Sequence, residues 1–403
     1  MILKKNISPS PPPDIRDAHI LIIGAGPAGC STALHLHRYA PHLAARTLIL
    51  EKARHPRPKL CAGGLVVDAE VILKRLDLNV SEIPYVDVKA VHFDFGGRGL
   101  TIRAAGGGAR KPHALRIIRR DEFDAWLAKK TESRGIEIRE GVTVRNVQPR
   151  DDRVMVETDA GTFCAQVVIG ADGSNGIVRR CVLPEAPVHT ARVLEVLVQP
   201  NQNKTHKAKE AYFDLFPIAE GIAGYVWDFP TQVKDAAMRC WGVYDANRLA
   251  DVPPPVLKSP LAEEMARHRF DLSAYKLEGY PIRCFHPFGR LSVPGVILVG
   301  DAAGADSLLG EGISMALGYG QVAARAIQDA FERGDFSFRD YRRRLSSSPL
   351  GQALAARWLF AKVVYTLKWR WFQMLLWRIL NPLVVVIAWA SIVNWAKRTK
   401  PQA

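Results

Sequence analysis

Residues His19–Lys52 read HILIIGAGPAGCSTALHLHRYAPHLAARTLILEK. The apolar run His19–Ile23 leads into Gly24-Ala25-Gly26-Pro27-Ala28-Gly29, a helical segment follows, and a second apolar run, Thr47–Leu50, ends in Glu51 and Lys52. Strand, glycine turn, helix, strand and acid is the order that a dinucleotide-binding unit requires. Gly24 permits the tight turn, Gly26 beside Ala28 lets the backbone approach a pyrophosphate, and Gly29 lets helix and strand pack closely. The phosphates would sit at the positive end of the helix. Glu51 lies 27 residues beyond Gly24, past the usual spacing of about 20, and the loop around Ala40-Pro41-His42 absorbs the excess. Its carboxylate is placed to accept from ribose hydroxyls, with Lys52 next to it.

A chain of 403 residues that is 48% hydrophobic can bury two domains or slightly more. Its six cysteines form no CxxC pair and share no metal-ligand spacing with histidine, which argues for reduced thiols and no metal. The opening MILKKNISPSPPPD lacks the apolar core of a signal peptide, so residues 1–16 read as a disordered lead-in to a cytoplasmic protein. The net charge of +15 is concentrated. From Arg339 onward there are twelve Lys and Arg against one acid, Asp340, so this stretch supplies eleven of the fifteen charges. It also holds six of the nine tryptophans. Basic, tryptophan-rich and apolar together suit the headgroup level of an anionic membrane better than nucleic acid.

Beyond Glu51, the segment Arg54–Leu65 carries two prolines after the histidine and arginine, then Cys61-Ala62-Gly63-Gly64, and reads as a loop shaped to lie against something. Cys61 is either a small packing residue or a thiol near a reactive face. Val66–Leu78 is helical by period, Val86–Ile102 alternates as strands, and Gly106–Gly108 is a flexible excursion. Arg120 stands at the start of the next helix, where it can reach a cofactor or simply be solvated. The strand Phe163–Ile169 runs into Asp172-Gly173, and the strand Val296–Val299 runs into Gly300-Asp301 before a helix opens at Gly312 and Ile313. Asp301 can accept from ribityl or ribose hydroxyls, and the helix-start amides can stabilise negative charge. In between, Tyr225, Trp227 and Phe229 share one strand face, as ordinary core or as the wall of an apolar substrate cavity.

These three turns, in this order, resemble the FAD-dependent oxidoreductases of the aromatic-hydroxylase fold group. Within it, Lys59-Leu60-Cys61-Ala62-Gly63-Gly64, Tyr225-x-Trp227-x-Phe229-Pro230 and Gly310-Glu311-Gly312-Ile313 look like the geranylgeranyl reductase family. The resemblance implies an α/β fold in which a Rossmann-type FAD-binding domain carries an antiparallel-sheet substrate domain. It also implies that Cys61 lies near the flavin ring and that Tyr225 and Trp227 line a prenyl channel. The expected layout is 17–185 for the first part of the FAD domain, with a strand excursion near 86–115. Residues 186–285 follow as the substrate sheet, 286–345 as the last FAD part, and 346–403 as a helical membrane-associating tail. The uncharged stretch Ile379–Trp395 could lie in the inner membrane face, cross it, or pack on the core. The expected reaction is saturation of prenyl double bonds on a lipid or quinone. No second dinucleotide unit is visible, so the electrons would come from NAD(P)H, a ferredoxin or a quinol. The alternative is an FAD-dependent monooxygenase of an apolar substrate, while a lysine-centred halogenation motif is absent from the sequence after the glycine loop.

Overall fold

The computed structural model describes residues 15–104, 113–186, 189–200, 208–248 and 256–399. The glycine excursion at 106–108 and most of the lead-in lie outside them. At the centre is an eight-stranded sheet in which Ile15–Ile23 runs parallel to Thr47–Glu51 on one side and to Gly161–Gly170 on the other. Glu137–Glu140 extends the sheet on one side and Val296–Leu298 on the other, both parallel, with Ser292–Val293 antiparallel outside the latter. The central strands are near-continuous apolar runs because both of their faces are covered.

One cover is the helix Pro27–Tyr39, which begins with proline at its first position. It packs on the long helix Ile313–Arg333, and Ser31 Oγ donates to the Leu317 carbonyl at 2.6 Å. A Cβ on Gly320 would come within 2.4 Å of that same hydroxyl, so small residues set the approach of the two helices.

A second sheet has seven strands in the order Glu278–Arg283, Thr190–Val198, Ala236–Asp245, Gly224–Val233, Glu210–Asp214, Ala90–Asp94 and Gly99–Arg103. It is antiparallel except where Glu210–Asp214 meets Ala90–Asp94. Strands from early in the chain therefore complete the sheet built by residues 190–283. A three-stranded sheet of Gly64–Leu65, Leu115–Ile118 and Tyr85–Val88 bridges the two layers.

The C-terminal region is less detached than its composition suggests. Helix Pro349–Thr366, capped by Ser348 Oγ accepting from the Gly351 N–H, buries Leu350, Ala353 and Leu354 against the first domain and Ala361 and Tyr365 against the second sheet. Arg357 is 2% exposed, and its guanidinium meets Asp306 at 2.8 Å and Glu311 at 2.7 Å. Further on, Arg370–Ile379 and Asn381–Ser391 meet at a 77° bend. Among the described residues no single helix is long and apolar enough to cross a membrane, although this bent pair meets that test jointly. The chain then folds back: Trp395 is 1% exposed against Gly318, and Asp68 accepts from the Asn394 and Ala396 N–H groups at 2.9 and 2.8 Å. Large apolar side chains stay exposed between these anchors, among them Ile379 at 69% and Trp389 at 66%.

Because Trp395 plugs the first domain, Trp395→Ala is expected to lower folding stability by about 3–5 kcal/mol. Thermal unfolding of purified wild type and variant checks this; an unchanged midpoint would show that the plug is dispensable.

Candidate active site

Two turns cross at the carboxyl ends of neighbouring strands. Gly24 has φ +109°, and a Cβ there would lie 2.5 Å from the Ala171 carbonyl oxygen. A Cβ on Gly29 would lie 2.0 Å from the Gly24 carbonyl oxygen. Gly29 is therefore a packing glycine behind the turn, whereas Gly24, Gly26 and Ala28 line an open cleft of about 560 Å³. Glu51 is fixed at its far end, with Oε2 accepting from the Ala25 N–H at 2.9 Å and Oε1 from the Ala53 N–H at 3.1 Å. Lys52, Arg120, Asp172, Gly173, Asp301, Gly312 and Ile313 all line the same cleft. The twelve residues expected from the sequence to face a cofactor here thus converge, apart from Gly29.

The cleft suits a dinucleotide with a polyol linker. Asp172 Oδ2 accepts from the Val178 N–H at 2.9 Å, while its buried Oδ1 has no hydrogen-bond partner among the described residues. Gly26 faces only the tip of Arg57, so its backbone is open to close approach. The first turn of the helix starting at Ile313 presents unpaired amides.

Two partners were not evident from sequence. Arg57 lies 3.7 Å from Glu51 Oε1 and 3.3 Å from Asp124, and Arg120 grips Asp124 with two bonds of 2.8 and 2.9 Å. Burial pulls the Arg120 guanidinium down, but Asp124 and then Cys61 more than reverse this, and its pKa is raised. Arg120 therefore stays charged at the junction of the cleft with a second cavity.

That cavity, of about 170 Å³, shares Lys59, Arg120, Tyr280, Asp301 and Gly312 with the cleft. Cys61, Ala62 and Gly63 form one side of it rather than of the larger cleft, and Tyr225, Trp227, Phe213, Phe229 and Tyr244 form its aromatic wall. The wall is built on register: Tyr225 pairs with Tyr244, and Trp227 lies over Gly242, where a Cβ would be 2.1 Å from the ring. Three tyrosine hydroxyls donate to successive carbonyls, Tyr244 to Ser307 at 3.0 Å, Tyr365 to Leu308, and Tyr225 to Leu309 at 2.5 Å. Tyr225 thus shapes the cavity with its ring while its hydroxyl holds the loop.

Cys61, Lys59 and Glu195 are among the polar groups that line this space. Burial raises the Cys61 thiol, against the pull of Arg120, so it is a thiol at neutral pH. Burial also lowers Lys59 to about 8, opposed by Asp301; its ammonium sits 3.3 Å from the centroid of the Tyr280 ring. Glu195, 9% exposed, accepts from the Cys61 N–H at 3.1 Å through Oε1. Burial raises its carboxyl to about 7, opposed first by that hydrogen bond. Sequence reading missed Glu195; its one signal is an acid at the inward register of the apolar run Val193–Val198.

A sequence profile described as an FAD binding domain matches residues 17–312. The chain belongs to this family of FAD-binding proteins. It binds FAD and is an FAD-dependent oxidoreductase with a mixed α/β flavoprotein fold. The same fold occurs in a geranylgeranyl bacteriochlorophyll reductase-like protein from Thermoplasma acidophilum, with TM-score 0.73 and 20% identity over 95% of this chain and 96% of that one. It also occurs in p-nitrophenol 4-monooxygenase from Pseudomonas putida, with TM-score 0.64 and 18% identity over 96% and 100% of the two chains. In sequence, the flavoprotein is 25% identical over 323 residues to a menaquinone reductase of Mycolicibacterium smegmatis, covering 76% of this chain and 75% of that one.

Two outcomes follow from this geometry. Gly24→Ala is expected to reduce the FAD content of purified protein at least tenfold, read from flavin absorbance per polypeptide; full occupancy would refute the crossing-turn constraint. Glu195 has an ordinary pKa of 4.5 when unfolded and about 7 when folded, so between these values the native state holds the extra proton. Its contribution is complete below pH 4.5 and is lost as pH rises through 7. Denaturant unfolding at both ends of that window should show a decline in stability that Glu195→Gln lacks.

Proposed function

We propose that this flavoprotein saturates carbon–carbon double bonds in the prenyl chain of a lipid or quinone. The observation carrying this reading is the direct opening of an aromatic-walled, water-poor cavity into the cofactor cleft through Lys59, Arg120, Tyr280, Asp301 and Gly312. Reduced FAD, when bound, supplies a hydride. Glu51, Asp172, Asp301 and the amides at Gly312 and Ile313 would hold it, with Arg57 and Arg120 braced behind. Phe213, Tyr225, Trp227 and Phe229 exclude water and orient an apolar chain, and Cys61 faces the reacting segment with a protonated thiol. At about 170 Å³ the cavity is smaller than the roughly 300 Å³ or more of a drug-sized ligand site. It therefore takes only the reacting segment of a long chain. The names of the menaquinone reductase and the geranylgeranyl reductase-like protein support the same substrate class.

In this reading the other partners are an electron donor, NAD(P)H, a ferredoxin or a quinol, and the inner face of an anionic membrane. The exposed run containing Trp369, Trp371, Ile379, Leu383, Val386 and Trp389, flanked by exposed Lys362, Arg370, Lys397 and Arg398, supports attachment at the interface. Each such cation near an anionic surface contributes about 1 kcal/mol.

The substrate reading is tested anaerobically: reduced enzyme is mixed with geranylgeranylated lipids and quinones, and product mass is followed. A gain of two hydrogens per step with flavin reoxidation is expected. Reoxidation only on admitting O2, with a product heavier by one oxygen, would instead establish a monooxygenase. For attachment, joint substitution Trp371→Ser and Trp389→Ser should abolish sedimentation with anionic vesicles and leave FAD content intact. Equal sedimentation would exclude this surface.

A further inference from the structure

We propose that Glu195 is the acid that gives its proton to the substrate, held in place by the backbone N–H of Cys61. The assignment rests on the double-bond reductase reading and deepens it by naming the proton source.

The geometry singles out this side chain. Val193 and Glu195 both line the apolar cavity, and Glu195 Oε1 is engaged by the Cys61 N–H at 3.1 Å. Its Oε2 is buried without a hydrogen-bond partner among the described residues. Lys59, also in the lining, holds its ammonium 3.3 Å from the Tyr280 ring centroid, and Glu311, Tyr225 and Tyr244, which share the lining, are engaged. Glu311 is paired with Arg357 at 2.7 Å and accepts from Ser314, and the Tyr225 and Tyr244 hydroxyls donate to Leu309 and Ser307. Burial puts both tyrosines well above their ordinary 10, and it raises Cys61 above 9. A carboxyl near 7 matches a neutral working pH far better than any of these. The charged and titratable groups facing it are Lys59 and Cys61 from the loop, Arg119 ahead of the next helix, Glu278 on one neighbouring strand and Cys240 on the other. Lys59 and Arg119 favour the carboxylate left after transfer; Glu278 and burial favour its return to the acid.

In the step, the alkene π bond breaks. One carbon gains the hydride that reduced FAD supplies, and the other forms a C–H bond with the proton leaving Glu195. The alkene is reduced by two electrons, FAD is oxidised by the same two, and Glu195 remains as carboxylate until solvent returns a proton.

The test uses the FAD-loaded full chain with a geranylgeranylated quinone in vesicles, in anaerobic single turnovers across pH. Wild-type rate should fall above pH about 7. Glu195→Gln should lose on the order of 10²–10⁴-fold in rate together with that pH limb, while retaining FAD and quinone affinity. Glu195→Asp should recover part of the rate, and Cys61→Ala should keep the limb. Independently of turnover, the infrared spectrum of the oxidised protein should contain a carboxylic-acid band that titrates over the same range and is missing in Glu195→Gln. If Glu195→Gln reduces the quinone chain at the wild-type rate with the same limb, or the band persists, the assignment fails and the reductase reading stands. If wild type yields no reduced chain at all, both fall together.

Discussion

Arg357 and the two carboxylates around it tie the C-terminal helices to the wall of the substrate cavity. A guanidinium taken out of water loses several kcal/mol of hydration, and only close partners offset that. Asp306 and Glu311 supply the offset, and Asp306 also receives the N–H groups of Leu308 and Leu309 at 2.7 and 3.0 Å. The loop from Asp306 to Gly312 lines the substrate cavity through Leu309–Gly312 and meets the cofactor cleft at Gly312. Its position therefore depends on a residue from a helix that begins at Pro349. The same guanidinium donates to the Ile392 carbonyl at 3.3 Å, which draws the last helical turns into the arrangement.

Around that fixed loop the two halves of the site obey different physics. The cofactor side is set by steric minimum: crossing backbones approach to distances that only hydrogen atoms tolerate, and polar groups are left unpaired where a ligand will meet them. The substrate side is set by dryness. Aromatic rings exclude water, so Lys59, Cys61 and Glu195 are shifted toward their neutral forms. One wall thus holds charge for the cofactor, and the facing wall suppresses it.

The parts that could be read from the chain are those encoded locally. The strand–glycine–helix unit, the acid at Glu51, and the Asp172-Gly173 and Gly300-Asp301 turns each lie within a few residues of the pattern that reveals them. What escaped was long-range. Glu195 meets Cys61 across 134 positions, and Arg57 meets Asp124 only because a loop and a helix converge. The C-terminal stretch was only partly legible for a related reason. Its tryptophans and cations look alike in sequence, yet Trp395 is a core residue and Trp389 is bare. Composition reports how apolar a segment is, whereas only the partner, here Gly318 and Asp68, decides which of its residues the fold absorbs.

The return of the chain to Asp68 also sets a timetable for biosynthesis. Asn394 and Ala396 lie 326 and 328 positions beyond the carboxylate that receives them. At roughly 5–20 residues per second, the helix carrying Asp68 waits on the order of 15–65 s for its cover to leave the ribosome. The first domain also lacks its strand at Val296–Leu298 and its long helix at Ile313–Arg333 for most of that interval. The first domain therefore cannot finish folding from its N-terminal residues alone: the nascent chain carries an incomplete, apolar half-domain until the residues around 394–396 have emerged.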